Sequence, residues 1–174
     1  MNETELKSGS QTVRGSIAYV EQEPFICSGT IKQNICFGLQ YAETRFRKAI
    51  TAAQLDTDFD LFTHGWNTML GAKGIKISAS MKVKISLARA IYQDADIYLL
   101  DDPLSAVSTN TANQIFNQAV KGPLANKCVV LVTQKLQFLK QADKILVLQN
   151  GRQAMYGDFE HITDQGFDIE EIKR

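Results

Sequence analysis

The apolar residues of this chain fall into two periods. Short continuous apolar runs bounded by turn residues predict strands buried on both faces of a parallel sheet. Ile97–Asp102, read Ile-Tyr-Leu-Leu-Asp-Asp, is the clearest such run and Cys128–Thr133 a second; Lys144–Gln149 reads as a third strand. Gly15–Gln22 adds a turn residue followed by a β-prone run. Between these runs the apolar spacing is helical. Glu43–Gln54 carries Phe46, Ala49, Ile50 and Ala53 on one face. From about Ala79 to Gln93 the stripe is Met81, Ile85, Ala88 and Tyr92, with Leu87 and Ile91 alongside and Ser78 placed to cap. Thr109–Val120 carries Ala112, Ile115, Phe116, Ala119 and Val120. Shorter helices are expected at Thr30–Cys36, with Thr30 as cap, at Leu136–Gln141, and after Asp158. Asp56–Leu70 reads as short helices and turns, Pro24–Gly29 as a loop and Gly71–Gly74 as a turn. Asn150-Gly151 is a strong hairpin signal and pairs the third strand with Gln153–Tyr156.

Strands alternating with helices predict an α/β fold with a mainly parallel sheet and an antiparallel hairpin at its end. The helical stretch 43–93 is too long for a simple crossover and reads as a subdomain; 94–157 would form the core sheet and 158–174 a terminal helix. The 174 residues, 44% hydrophobic, suffice for one soluble globular domain. Lys+Arg and Asp+Glu are 19 each, a balance that predicts neither nucleic-acid binding nor adhesion to an anionic membrane. Cys27, Cys36 and Cys128 form no close pair, which argues against a disulfide framework and a zinc site and for a reducing compartment. His64 and His161 have no metal-ligand spacing around them and receive no role. No apolar stretch approaches a membrane span, and the N-terminus lacks a signal-peptide core. Work at a membrane would need another segment to bring the chain there. Lys82, Lys84 and Arg89 are expected on a solvated helix face.

The candidate chemistry sits at Asp101 and Asp102. Ligands of open α/β sheets bind beyond the carboxyl ends of the strands, and a carboxylate there suits Mg²⁺ held against a nucleotide phosphate. By itself the pair could equally be an acidic strand end that begins a turn. Its surroundings form a longer order: a strand ending in Gln22, a helical insert, Ser-Leu-Ala-Arg-Ala at Ser86–Ala90, the Asp-Asp strand, Pro-Leu-Ser-Ala at Pro103–Ala106, and a strand ending Val-Thr. From about Ser8 to Phe167 this resembles the nucleotide-binding domain of ATP-binding-cassette (ABC) transporters. In detail it is similar to the first such domain of the multidrug-resistance-associated (C) subfamily.

The resemblance implies a P-loop NTPase-like sheet with a helical signature subdomain, and ATP and Mg²⁺ as ligands. Gln22 would be the Q-loop glutamine, on Mg²⁺ and the attacking water, and Asp101 the Walker B aspartate on Mg²⁺. Asp102 occupies the catalytic glutamate position, Ser105 and Ala106 the D-loop, and Gln134 the switch histidine position. Ile77 and Ser78, Ala79, Ser80, Met81 fall on the signature Leu-Ser-Gly-Gly-Gln. The implied partners are a second cassette and the transmembrane domains of an exporter, at the cytoplasmic face of a membrane. Taken singly, Gln22 could merely end a strand, Ser78 be only a helix cap and Gln134 a surface amide; the joint order favours the family roles.

The chain departs from the family pattern at several of these positions. It contains no Gly-x-x-x-x-Gly-Lys-Ser/Thr, the loop whose N–H groups and lysine cradle phosphates. The family places that loop upstream of the position matching Met1, so the chain is expected to be N-terminally truncated and to lack the Walker A strand, loop and helix. Asp102 is one methylene shorter than glutamate, although first domains of the C subfamily commonly have it. Ala79 and Ser80 add Cβ atoms where the signature has glycines, and Met81 lacks the amide of glutamine. Gln134 cannot transfer a proton near neutral pH, and Ser108 replaces the aspartate that usually closes the D-loop. The expectation is a cassette fragment of an exporter, inactive alone. The alternatives are a degenerate cassette acting as an interaction or regulatory module, and a truncated gene product.

Overall fold

A computed structural model describes residues 5–71 and 74–164. Its centre is a three-stranded parallel sheet of β1 (Ile17–Val20), β4 (Ile97–Asp101) and β5 (Cys128–Val132), in the order β1-β4-β5. The register is Ile17↔Ile97 through Val20↔Leu100 on one side and Ile97↔Cys128 through Asp101↔Val132 on the other. Gly15, at φ +111°, brings Ser16 against Asp96, whose carboxylate accepts from both the Ser16 N–H and its hydroxyl at 2.8 Å. A Cβ on Gly15 would lie 2.8 Å from that of Asp96, so this turn requires glycine.

One face of the sheet is sealed. Ala18, Val20, Tyr98 and Leu100 are buried there, and α3 (Ala79–Gln93) packs across β1. The Ser78 hydroxyl caps α3 by accepting from the Met81 N–H at 3.2 Å, and Asp94 ends it in the left-handed conformation at φ 51°. Two further helices flank α3: α1 (Ile31–Cys36) and α2 (Glu43–Ala52). At the start of α1, Thr30 and Gln33 form a reciprocal capping box. The predicted loop before α1 ends in a strand pair that periodicity could not show: β2 (Gly29–Thr30) runs antiparallel to β3 (Met69–Leu70). Asp56–Leu61 and Gly65–Asn67 are 3₁₀ turns. The turn expected at Gly71–Gly74 closes through the Gly74 N–H to the Gly71 carbonyl at 3.0 Å, with 72–73 outside the described residues.

The helix expected over Thr109–Val120 is α4 (Thr109–Ile115), capped by Ser108 and followed by a π-helical turn at Phe116–Val120. Phe116 stacks on Phe138 of the 3₁₀ turn Leu136–Gln141, ring centroids 4.5 Å apart. β6 (Ile145–Gln149) and β7 (Arg152–Gly157) form the hairpin, with Asn150 and Gly151 both at positive φ. Among the described residues β6 pairs with β7 only, so the third strand belongs to a separate ribbon and not to the parallel sheet. Of the terminal helix expected over 158–174, α5 (Phe159–Asp164) is described; 165–174 lie outside the described residues.

The second face of the sheet differs from expectation. β4 and β5 alternate: Ile97 and Leu99 are half-buried, and Cys128, Val130 and Val132 are exposed. Among the described residues they leave, with Tyr19, an apolar face with little packed on it, and β5 is there an edge strand bonded to β4 alone. The apolar runs therefore do not report burial on both faces here.

Candidate functional site

Because β1, β4 and β5 are parallel and in close register, the segments that follow them leave the sheet along one edge. Gln22 follows β1, Asp101 and Asp102 end β4, and Gln134 follows β5. The Asp102 N–H donates to the Val132 carbonyl at 3.0 Å, continuing the β4–β5 ladder past the last strand residue. Asp101 is half-buried, and its Oδ2 accepts from the Tyr19 hydroxyl at 3.1 Å across the β1–β4 pair. Gln22 and Gln134 are exposed.

After Asp102 the chain turns tightly. The Ser105 hydroxyl donates to the Asp102 carbonyl at 2.8 Å and the Ser105 N–H to the same oxygen at 3.3 Å. Leu104 and Val107 are buried anchors, and Ser105 and Ala106 project between them, exposed. Ser108 accepts from the Thr111 N–H at 3.2 Å and so has a capping role at the start of α4.

Asp102 is the strained member. It sits at φ 45°, a region non-glycine residues seldom enter. It is only 8% exposed, and its Oδ1 is buried with no hydrogen-bond partner. Burial pushes its carboxyl above the usual aspartate range, with the nearby Asp101 charge acting in the same direction and Lys135 opposing. A carboxyl raised on folding costs stability once the pH exceeds its folded pKa, and the cost vanishes below the unfolded value. Asp102→Asn is therefore expected to gain stability relative to the parent chain as the pH rises from about 3 to about 7. Thermal unfolding across that range checks it; equal gains at both ends would contradict the buried-charge account.

Ser78, Ala79, Ser80 and Met81 lie elsewhere, at the N-terminus of α3. Ser78 and Ala79 are exposed, whereas Ser80 and Met81 are half-buried, Met81 packing on the core. No hydrogen bond or ion pair joins these four to Gln22, Asp101, Asp102, Ser105 or Gln134 among the described residues.

Two expected surface cations are not on the surface. Lys84 is 6% exposed, with its ammonium 2.7 Å from Asp58 Oδ2 and 3.3 Å from the Thr57 hydroxyl. The Arg89 guanidinium lies against both the Phe25 and Phe37 rings, 4.5 and 4.7 Å from their centroids, the two rings meeting edge to face 5.7 Å apart. Lys82 alone of the three is exposed. The solvated-face expectation failed because the partners come from distant segments. Tyr19 and Lys135 were also missed at the sheet edge. Alternation along β1 put Tyr19 opposite the buried Ala18 and Val20, which was a usable signal; Lys135 had none.

A family profile described as ABC transporter matches residues 1–105. ABC transporter C family member 9 of Arabidopsis thaliana is 44% identical over 171 residues, covering 97% of this chain and 11% of that protein. The probable multidrug resistance-associated protein lethal(2)03659 of Drosophila melanogaster is 42% identical over 165 residues, 95% of this chain and 12% of its own length. The human ATP-binding cassette sub-family C member 4 is 42% identical over 161 residues, 92% of this chain and 12% of its own. The chain spans 11–16% of the length of the curated relatives it matches. No helix among the described residues is long and apolar enough to cross a membrane. With 105 of its 174 residues inside the family profile, and C-family relatives of 42–44% identity aligned over more than nine-tenths of it, this chain belongs to the ABC transporter family.

Proposed function

We propose that these residues are the Walker B, D-loop and switch portion of a C-subfamily cassette of the first-domain type, working at the cytoplasmic face of a membrane as part of an exporter. The observation that carries this reading is the emergence of Gln22, Asp101, Asp102 and Gln134 along one carboxyl edge of a parallel sheet. Asp101 would hold Mg²⁺ with help from the Gln22 amide oxygen. Among the described residues no cluster of three or more His, Cys, Asp or Glu could hold a metal. One carboxylate and an amide suit Mg²⁺, which takes most of its ligands from water and phosphate. When bound, Mg²⁺ neutralises charge on the β- and γ-phosphates. Asp102 would orient the attacking water, Gln134 would donate a hydrogen bond to phosphate, and Ser105 would face a second cassette. Residues 43–93 would form the helical subdomain that carries Ser78–Met81 to that partner. The open face of β1-β4-β5 supports the same reading, because parallel sheets are ordinarily covered on both sides; further cassette chain would pack there.

The 174 residues include no phosphate-cradling glycine-lysine loop. The segment alone is therefore expected to bind ATP more weakly than about 10 μM, about 7 kcal/mol, and to release no phosphate. Titration calorimetry with ATP and Mg²⁺, alongside a phosphate-release assay, tests this; tighter binding would overturn it. A second reading, a non-catalytic module that pairs with an intact cassette, is favoured by Ala79, Ser80 and Met81 at the signature positions. Capture of an intact cassette that is independent of ATP would select it.

A further inference from the structure

We infer that Lys135 is a positioning residue that ties the loop after β5 to the loop after β4, so holding Ser105 and Ala106 in the conformation offered to a second cassette. The family resemblance put the switch role on Gln134, which carries no charge. The next residue supplies a cation, and its ammonium donates to the Val107 carbonyl at 3.3 Å, 28 residues away in sequence.

The base of this link is fixed. The Lys135 N–H donates to the Thr133 hydroxyl at 3.1 Å, and its carbonyl accepts from the Phe138 N–H at 3.2 Å. Phe138 is stacked on Phe116, and the Gln137 amide donates to Asn113 Oδ1 at 2.7 Å, so the 3₁₀ turn is docked on the α4 segment. The far end needs holding. The segment from Asp102 to Val107 begins at a left-handed residue and presents two exposed side chains, with few backbone bonds of its own. A charge-assisted bond to the Val107 carbonyl closes that segment at its C-terminal end, opposite the Ser105–Asp102 bonds that close it at the start.

The role of the second cassette rests on the proposed function; the link itself does not, and its test uses no nucleotide. Hydrogen exchange would be followed by mass spectrometry on the 174-residue chain and on Lys135→Met, Lys135→Gln, Lys135→Arg and Gln134→Ala. The Ser105 amide, bonded to the Asp102 carbonyl, is expected to exchange about tenfold faster in the methionine and glutamine variants, with β1, β4 and β5 unchanged. Arginine should restore protection, and Gln134→Ala should match wild type. Unchanged exchange at Ser105, a parallel rise across the whole sheet, or no rescue by arginine would each overturn the inference. Tight ATP binding by the chain would overturn the weak affinity expected of the segment while leaving this result intact.

Discussion

Arg89→Met is expected to lower the unfolding free energy by about 3 kcal/mol, which for a domain of this size lowers Tm by about 6–12 °C. Arg89 joins three segments. From α3 its Nε donates to the Asn34 carbonyl at 2.8 Å and its Nη2 to Asn34 Oδ1 at 3.2 Å, while both Nη atoms reach the Phe25 carbonyl at 3.4 Å. Asn34 is itself 1% exposed and binds Cys27 and Thr30, so the arginine holds a connected polar network. Hydrogen bonds to a charged group contribute about 1.5–3 kcal/mol. The two aromatic faces add about 0.5–1 kcal/mol each, the low end of the range because Phe25 and Phe37 are themselves partly exposed. Methionine keeps the stem and removes every donor, leaving the Asn34 carbonyl short of a partner. Lysine should recover less than half, because a single ammonium cannot span two acceptors and stack. Urea unfolding of the three proteins decides it; a loss below about 1 kcal/mol would mean that solvent replaces the network.

Phe46→Ala is expected to cost about 4 kcal/mol. Phe46 is 1% exposed and touches three rings, with centroid distances of 5.4 Å to Tyr41, 5.8 Å to Trp66 and 6.3 Å to Tyr92. Tyr92 beside it is wholly buried, donating to the Gln40 carbonyl at 2.6 Å and accepting from the Ala42 N–H at 2.9 Å. A void at Phe46 would loosen the docking of α2 on α3 together with those bonds. Phe46→Leu, which keeps most of the volume, should cost about 1.5 kcal/mol. Trp66 is the only tryptophan and abuts the void, so its emission follows the transition directly. Comparable losses for alanine and leucine would point to the ring contacts, not the cavity, as the source of stability.

Features encoded by neighbouring residues were legible. Ser78 caps α3, Thr30 caps α1 and Asn150-Gly151 turns the hairpin, because each signal acts over three or four residues. The carboxyl-edge rule put Asp101 and Asp102 past the end of β4, and the family resemblance, not the rule, singled out Gln22 and Gln134, which follow β1 and β5 on the same edge. What failed was non-local. An apolar run identifies β5 as a strand but cannot say what packs on its outer face. The charges of Lys84 and Arg89 suggested solvent, and only the approach of Asp58 and Asn34 reverses that. The π-helical turn at Phe116 leaves the apolar stripe intact and so leaves no trace in periodicity. The left-handed backbone at Asp102, a conformation aspartate adopts more readily than most residues, leaves no trace in the hydrophobic pattern.

The outer wall of the parallel sheet bears on how this segment would behave in a test tube. Tyr19, Val130 and Val132 are 46%, 49% and 55% exposed, and among the described residues β5 pairs with β4 alone, on one side. An oily wall next to a free strand margin is a template for sideways stacking of identical molecules. Purified by itself, the segment should sediment as concentration-dependent oligomers and bind hydrophobic dyes, and Val130→Lys should keep it monodisperse.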